Sequence, residues 1–503
     1  MNYIVSNSQM KTAEQRCDAG GTSYLQMMEN AGTRCAEYLL GLLPENTRTV
    51  ILCGSGNNGG DGLVIARKLH ENGREACVLL VSGEPKTDCA RENYAQLGGV
   101  PVYDISQAEK AVSGAECVVD CIYGTGFHGE LNENALAAIT AAAHCKYRVS
   151  VDVPSGVNSD TGEMDERCFR PTHTLVIAAM KRGLLNAPAS DILGQTALLD
   201  IGIGEECYAE NNIGFLTDES LRRPFLPHGR NTHKGSFGRL VGFAGSLFFN
   251  GAAFMCAKAA LRSGVGLYFA AAPVSAVKII ASELHEAVYI PLPEDKDGFA
   301  EVSPDILEQT VLPRLKTASA VLIGCGLGNS DNTRRLTEFV IRNASCPVVI
   351  DADGINSISG NIDVLKERTG DTILTPHPLE FSRMTGLTVS EIQSGRLTRA
   401  ASFAKEYGVT LLLKGADTVI ASPDGRICVN AHACSGLSKG GSGDVLTGII
   451  GALAAQGTEP FRAACAGAYC HWKAADILTE RMPAESVLPT DIISVLPEVY
   501  SGK

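Results

Sequence analysis

The stretch Thr49-Val50-Ile51-Leu52-Cys53-Gly54-Ser55-Gly56-Asn57-Asn58-Gly59-Gly60-Asp61-Gly62 decides the fold. A short apolar, β-branched run reads as a strand buried on both faces, and a glycine-rich turn follows it directly. Helical spacing then runs over Gly62 to Glu71. A strand, a glycine turn and a helix in that order begin a parallel crossover unit. The alternation continues through Cys77–Val81, Cys117–Cys121, Arg148–Val153 and Thr174–Ala178. Strands spaced by helices predict a parallel, doubly wound α/β sheet, a Rossmann-like domain. Upstream, Leu25, Met28, Gly32, Cys35, Leu39 and Leu42 mark one stripe of a long helix starting near Ser23. That stripe is either a core face or a contact between subunits, and a homo-oligomer is expected.

The periodicity lapses between residues 204 and 234, where Glu205–Asn212 is polar and Pro224, Pro227 and Gly229 interrupt. A second α/β series then begins: Gly238–Ala244, Gly266–Ala270, Ala320–Gly324, Val348–Asp351, Thr372–Thr375 and Leu411–Lys414. The reading is two α/β domains, 1–217 and 218–503.

The 503 residues are 45% hydrophobic and 20% charged, which suits a soluble globular chain and excludes a disordered or collagen-like one. Lys and Arg number 43 against 56 Asp and Glu, a formal charge of −13. An acidic surface repels phosphodiester backbones, so no nucleic-acid partner is expected. No apolar run approaches a membrane span, and the polar start from Met1 to Gln15 lacks a leader's apolar core. A cytoplasmic enzyme without a membrane partner is expected. The 17 cysteines are scattered, with no C-x-x-C pair, so reduced thiols serving as small hydrophobes are expected. The histidines form no H-x-x-x-H, and with no C-x-x-C a zinc site is not expected.

Candidate site residues fall where strands end. Asn57, Asn58, Gly59, Gly60 and Asp61 set two amides and a carboxylate among glycines, more polar groups than a turn needs. Formally the segment contains G-x-G-x-x-G, weak by itself; a Walker lysine is absent, which excludes a P-loop NTPase. Asp120 ends a strand before Gly124-Thr125-Gly126-Phe127-His128-Gly129-Glu130, and Asp152 ends another before Val153-Pro154-Ser155-Gly156. Such aspartates are caps or cleft residues. Asn58, Asp120 and Ser155 offer oxygen donors that suit a hard, weakly charged cation. In the second domain Gly440-Gly441-Ser442-Gly443-Asp444 runs into the apolar helix Val445–Ala455. Amides there form an anion hole, and Asp444 is placed to take a proton from an attacking hydroxyl. Lys414-Gly415-Ala416-Asp417-Thr418 borders a nucleotide in this reading. Gly326 and His377, in the segments Gly324–Asn329 and Thr375–Pro378, also follow strands; His377 is a loop histidine or a ligand contact.

These motifs, with His233–Gly238 and Gly251–Ala253, resemble in order the bifunctional NAD(P)H-hydrate repair enzymes, across nearly the whole chain. That resemblance implies an N-terminal epimerase domain and a C-terminal ADP-dependent dehydratase domain of ribokinase-like fold. It implies that hydrated NADH or NADPH (NADHX, NADPHX) is held by Asn57–Asp61 and Gly124–Glu130, with Asp152 at the reacting end and Lys181 assisting. Potassium would sit on Asn58, Asp120 and Ser155. In the dehydratase the hydrate would meet Ala253, Gly326 and His377, the nucleotide Lys414–Thr418 and Gly443. Asp444 would be the base, with ADP as co-substrate and Mg2+ beside it. The family commonly has glycine where Leu379 stands, and Ala433–Lys439 is also idiosyncratic. Two other classes fit parts of the pattern: a kinase of a vitamin or sugar hydroxyl with an accessory ligand-binding domain, and a non-enzymatic N-terminal module that binds a nucleotide-like ligand or a partner protein.

Overall fold

A computed structural model of the protein describes residues 2–209, 214–222, 224–225 and 230–502. Asn212, Pro227 and Gly229 of the expected seam lie outside the described residues. The chain divides into two compact units, Met1–Gly214 and Phe215–Lys503.

In the first unit seven parallel strands lie in the order Val102–Asp104, Ala76–Leu80, Thr49–Cys53, Cys117–Cys121, Tyr147–Val151, His173–Ile177, Gln195–Leu199. The chain moves outward from Thr49–Cys53 in one direction, then returns to add Cys117–Cys121 on its other side. The order therefore reverses between these two strands, where a doubly wound sheet opens its binding crevice. Tyr24–Leu42 is a helix capped by Ser23, whose side chain accepts from the Gln26 N–H. Met28, Gly32, Cys35 and Leu39 of the expected stripe are buried, against the helix Asn57–Glu71 and the sheet. The stripe is core.

That second helix begins at Asn57, five residues before the expected Gly62. Glycine and asparagine are poor helix formers, yet packing overrides them. A Cβ on Gly59 would meet the Gly54 carbonyl oxygen at 1.9 Å, and one on Gly62 the Cys53 sulfur at 2.8 Å. Only hydrogen at these positions lets the helix start so near the strand it follows.

The second unit runs Val288–Leu292, Leu267–Pro273, Arg239–Phe243, Ala320–Ile323, Val348–Ile350, Thr372–Leu374, Thr410–Leu413, all parallel. Thr418–Ala421 and Ile427–Asn430 extend the sheet antiparallel, and Gly214–Leu216 pairs parallel with the latter. The antiparallel extension was not part of the expected α/β series, because Lys414–Thr418 reads as a loop. Val288–Leu292 escaped because Pro291 weakens a strand pattern; an outer position tolerates it. Order reverses here between Arg239–Phe243 and Ala320–Ile323, a second crevice.

Across that crevice the helices Asn250–Arg262 and Ser442–Ala455 pack tightly. A Cβ on Gly448 would meet the Cys256 carbonyl oxygen at 2.3 Å and the Ala259 methyl at 3.0 Å. Gly448→Ala should therefore force these helices apart, costing about 1–3 kcal/mol. A lowered denaturation midpoint for the second unit is the expected result; an unchanged one would show the contact to be loose.

Candidate functional site

In the first unit the crevice holds a cavity of about 470 Å³, within the usual range for small-molecule sites. Its wall includes Asn57, Asn58, Asp61, Gly124, Thr125, Gly126, Phe127 and Asp152, with Glu14 and Lys181. Gly59 and Gly60 are buried packing positions behind it. His128, Gly129 and Glu130 are exposed outside the wall: His128 faces the Asn158 amide, and Glu130 lies 3.9 Å from Arg167. No side chain caps the helix start at Gly56, so its first-turn amides and positive dipole end face the crevice.

Asp152 adopts φ +67°, a left-handed conformation that aspartate tolerates better than most residues. Its N–H donates to the Leu175 carbonyl at 2.7 Å, and its carboxylate accepts from the Ile177 N–H at 3.2 Å and from Lys181. Lys181 is buried and also donates to the Ile177 carbonyl at 2.6 Å. The short strand Met180–Lys181 pairs with Tyr3–Val5, which fixes the lysine's backbone. The next helix, Asn7–Ala19, brings in Glu14. At its start Asn7 donates to the Thr125 carbonyl at 2.8 Å, tying helix and loop together.

Three carboxylates, Glu14, Asp61 and Asp152, thus share one ammonium. Burial first, then the Asp152 and Glu14 charges, hold the Asp61 carboxyl well above its ordinary range, and Lys181 opposes them only partly. Burial and Asp152 raise Glu14 as well. Glu14 carries no motif, and only its place one helix upstream of the crevice reveals it.

Asn58, Asp120 and Ser155 do come together. Asp120 accepts from the Ser155 N–H (2.8 Å), the Ser155 hydroxyl (2.6 Å) and the Ile122 N–H (3.2 Å). The Asn58 amide donates to the Tyr123 carbonyl at 2.9 Å, and the Tyr123 N–H donates to Ser155 Oγ at 3.0 Å. Burial raises Asp120 to about 6 against these neutral donors. An all-oxygen set around a buried carboxylate with neutral partners fits a monovalent cation.

In the second unit a cavity of about 700 Å³ is lined by His377, Lys414, Gly415, Ala416, Thr418 and the segment from Ala433 through Gly443. Asp417 lies outside this wall, with its carbonyl taking a hydrogen bond from Arg396 at 3.0 Å. Gly441 caps Ser442–Ala455 at φ +97° without a side-chain bond, so the first-turn amides face the cavity. Ser442 is steadied from below by buried His471 at 3.2 Å; burial and Lys414 drop that imidazole to about 3, so it stays neutral.

Asp444 follows Gly443 on the first turn of the helix Ser442–Ala455 and is itself outside the cavity's wall. Burial first, then Asp351, raises it to about 6. Asp351, at the end of an expected strand, is buried, takes a 2.6 Å bond from Lys414 and another of 2.6 Å from the Thr447 hydroxyl. Ala253 and Gly326 lie outside the large cavity's wall, at the strand-order reversal. The Gly245 N–H donates to the Cys325 carbonyl at 2.7 Å, and Gly326 sits against Ala252 and Phe249. His377 caps the helix Pro378–Thr385 and engages Glu380, which burial raises to about 6. Leu379 is exposed beside it.

A family model described as NAD(P)H-hydrate dehydratase matches residues 240–498, and one described as YjeF-related protein N-terminus matches residues 24–183. The chain is 37% identical over 492 residues to the bifunctional NAD(P)H-hydrate repair enzyme Nnr of Moorella thermoacetica, covering 94% of this chain and 92% of that protein. It is 33% identical over 495 residues to Nnr of Escherichia coli, covering 97% and 92%. Among solved structures, the ADP/ATP-dependent NAD(P)H-hydrate dehydratase from Bacillus subtilis, co-crystallised with ATP/Mg2+, is 32% identical. It covers 58% of this chain and 99% of that chain, with a TM-score of 0.48. Among the described residues no helix is long and apolar enough to cross a membrane.

Lys181→Met should leave the three carboxylates without their cation, a loss of about 3–5 kcal/mol near neutral pH. The loss should shrink as pH falls, because the carboxyl groups then take protons. A penalty independent of pH, read from denaturation of the variant and parent across pH, would contradict the shared-charge account.

Proposed function

The chain belongs to the family of bifunctional NAD(P)H-hydrate repair enzymes, and from that premise we propose that it epimerises hydrated NADH and NADPH and dehydrates the S form with ADP. Residues 1–217 form the epimerase domain in this reading and 218–503 the dehydratase domain. The observation that carries it is Asp444, a carboxyl raised to about 6 on the same uncapped helix turn whose Ser442 and Gly443 line a nucleotide-sized cavity.

Inverting a hydrated carbon requires a bond at that carbon to break and re-form, with a proton given to the departing atom and removed on return. Asp152, ion-paired to Lys181, is the base. Glu14 and Asp61, held toward their neutral forms, are the proton donors. Asn57, Asn58 and the Gly124–Phe127 segment orient the dinucleotide. Asn58, Asp120, Ser155 and the Tyr123 carbonyl would hold potassium, whose positive charge would steady the buried Asp120.

In the dehydratase the substrate hydroxyl loses its proton to Asp444 as its oxygen bonds to the β-phosphorus of ADP. The bond from that phosphorus to AMP breaks. The new phosphate ester then leaves with the C–O bonding pair, a neighbouring carbon gives up a proton, and NAD(P)H and phosphate are released. Hydroxide is a poor leaving group near neutral pH and phosphate a good one. Helix amides at Ser442–Asp444 stabilise charge on the moving phosphoryl group. Lys414, Gly415, Ala416, Thr418 and Gly443 cradle the nucleotide; Ala253, Gly326 and His377 face the hydrate. Magnesium takes one or two carboxylates together with phosphates. Asp353, partly buried and accepting from the Gly328 N–H at 2.8 Å, suits that role. Bound there, the ion would neutralise phosphate charge.

The test is a mixture of R and S hydrates with ADP, followed by recovery of the near-ultraviolet band of the reduced nicotinamide. Complete recovery is expected from the parent. Asp152→Asn should convert only the S epimer quickly, and Asp444→Asn should slow dehydration by about 10²–10⁴-fold. A stable phosphorylated product from a vitamin or sugar, without band recovery, would establish the kinase reading instead.

Asp444 acts as a base only when deprotonated. The dehydration rate should therefore hold above about pH 6 and fall as pH drops through that value. A rate flat down to pH values near an ordinary aspartate's would contradict the assignment.

A further inference from the structure

Three metal-type donors meet behind Gly443, although no local spacing in the sequence announces them. Cys256 lies on the helix Asn250–Arg262, Cys325 in the turn after Ala320–Ile323, and Asp444 on the first turn of Ser442–Ala455. Their two sulfurs and a carboxylate oxygen all lie within 4.8 Å of one another. Both cysteines are fully buried, while Asp444 is partly accessible.

We propose that Cys256, Cys325 and Asp444 form a site for a thiophilic divalent cation of the zinc or cadmium type, whose binding shuts off dehydration by engaging Asp444. The proposal rests on Asp444 being the dehydration base.

The donor chemistry selects the class of ion. Two thiolates favour a soft or borderline cation, whereas magnesium prefers oxygens. Zinc binds sulfur at about 2.3 Å and carboxylate oxygen at about 2.0–2.2 Å in a tetrahedral arrangement. Ligand atoms on such a tetrahedron lie somewhat under 4 Å apart, so small side-chain rotations close the trio. A site with three protein ligands keeps its fourth position open. Asp351, with one carboxylate oxygen 3.9 Å from Cys325 Sγ, lies nearby, its charge paired with Lys414 at 2.6 Å.

No redox step is involved. The cation displaces one proton from each thiol, and the sulfur lone pairs and the carboxylate fill its coordination sphere. In the absence of such a metal the same thiols are core side chains, and dehydration proceeds.

The experiment uses the full-length protein and cadmium chloride. Thiolate-to-cadmium charge transfer in the ultraviolet reports binding independently of activity, and dehydration of the S hydrate is measured over the same titration. The parent should bind a cation that Cys256→Ala and Cys256→Ser both lack, and its dehydration should fall as that cation binds. Both variants should keep the metal-free rate and need at least about tenfold more cadmium for half inhibition. Equal charge-transfer stoichiometry in parent and variants, or saturation of the extra site without loss of dehydration, would overturn the proposal. Metal-free Asp444→Asn separates the two claims. If it dehydrates at the parental rate, the assignment of Asp444 as base fails, whatever the cadmium result.

Discussion

Each unit confines several carboxylates around a single lysine at the edge of its sheet. In the first, Glu14, Asp61 and Asp152 face Lys181; in the second, Asp351, Asp444 and Glu380 face Lys414. One ammonium cannot neutralise three carboxylates at low dielectric, so some of the carboxyl groups bind protons more tightly. The charge deficit is a cost to folding, and near neutral pH it yields groups ready to exchange protons. The two lysines are not interchangeable in setting. Lys181 is locked by the pairing of Met180–Lys181 with Tyr3–Val5, whereas Lys414 keeps partial access to the cavity it lines.

The geometry of the two sheets explains where these clusters lie. A doubly wound sheet parts its loops where strand order reverses, between Thr49–Cys53 and Cys117–Cys121 in one unit and between Arg239–Phe243 and Ala320–Ile323 in the other. Glycines do a different task from the one their motif suggests. Gly59 and Gly62 leave room for the helix to sit on its strand, and Gly448 leaves room for its neighbour helix. The residues able to touch a ligand are the polar ones beside them.

Much of this was legible in the sequence. The alternation of apolar runs with helical spacing located the first unit's central strands to within a residue or two, because strands buried on both faces must be apolar throughout. Asn58, Asp120 and Ser155, scattered over nearly a hundred positions, are linked through Tyr123 and a direct Ser155–Asp120 bond. Loops were harder. In the Gly124–Glu130 segment four residues line the cavity and three turn outward, since a loop has no periodicity to say which way a side chain points. Glu14 and Asp351 gave no motif because their importance comes from what lies across the crevice, not from neighbours in the chain.

A missing C-x-x-C rules out a zinc ribbon or finger built from adjacent ligands, because such sites draw donors from one tight turn. It does not rule out donors drawn from separate elements. Cys256 and Cys325 belong to different elements, and they approach because the helix Asn250–Arg262 crosses the crevice beside the turn after Ala320–Ile323. Close helix packing at Gly448 sets that approach, since a larger residue there would press on the Cys256 backbone. The packing that seats Asp444 on the helix turn bordering the large cavity is thus also the packing that brings two thiols to it.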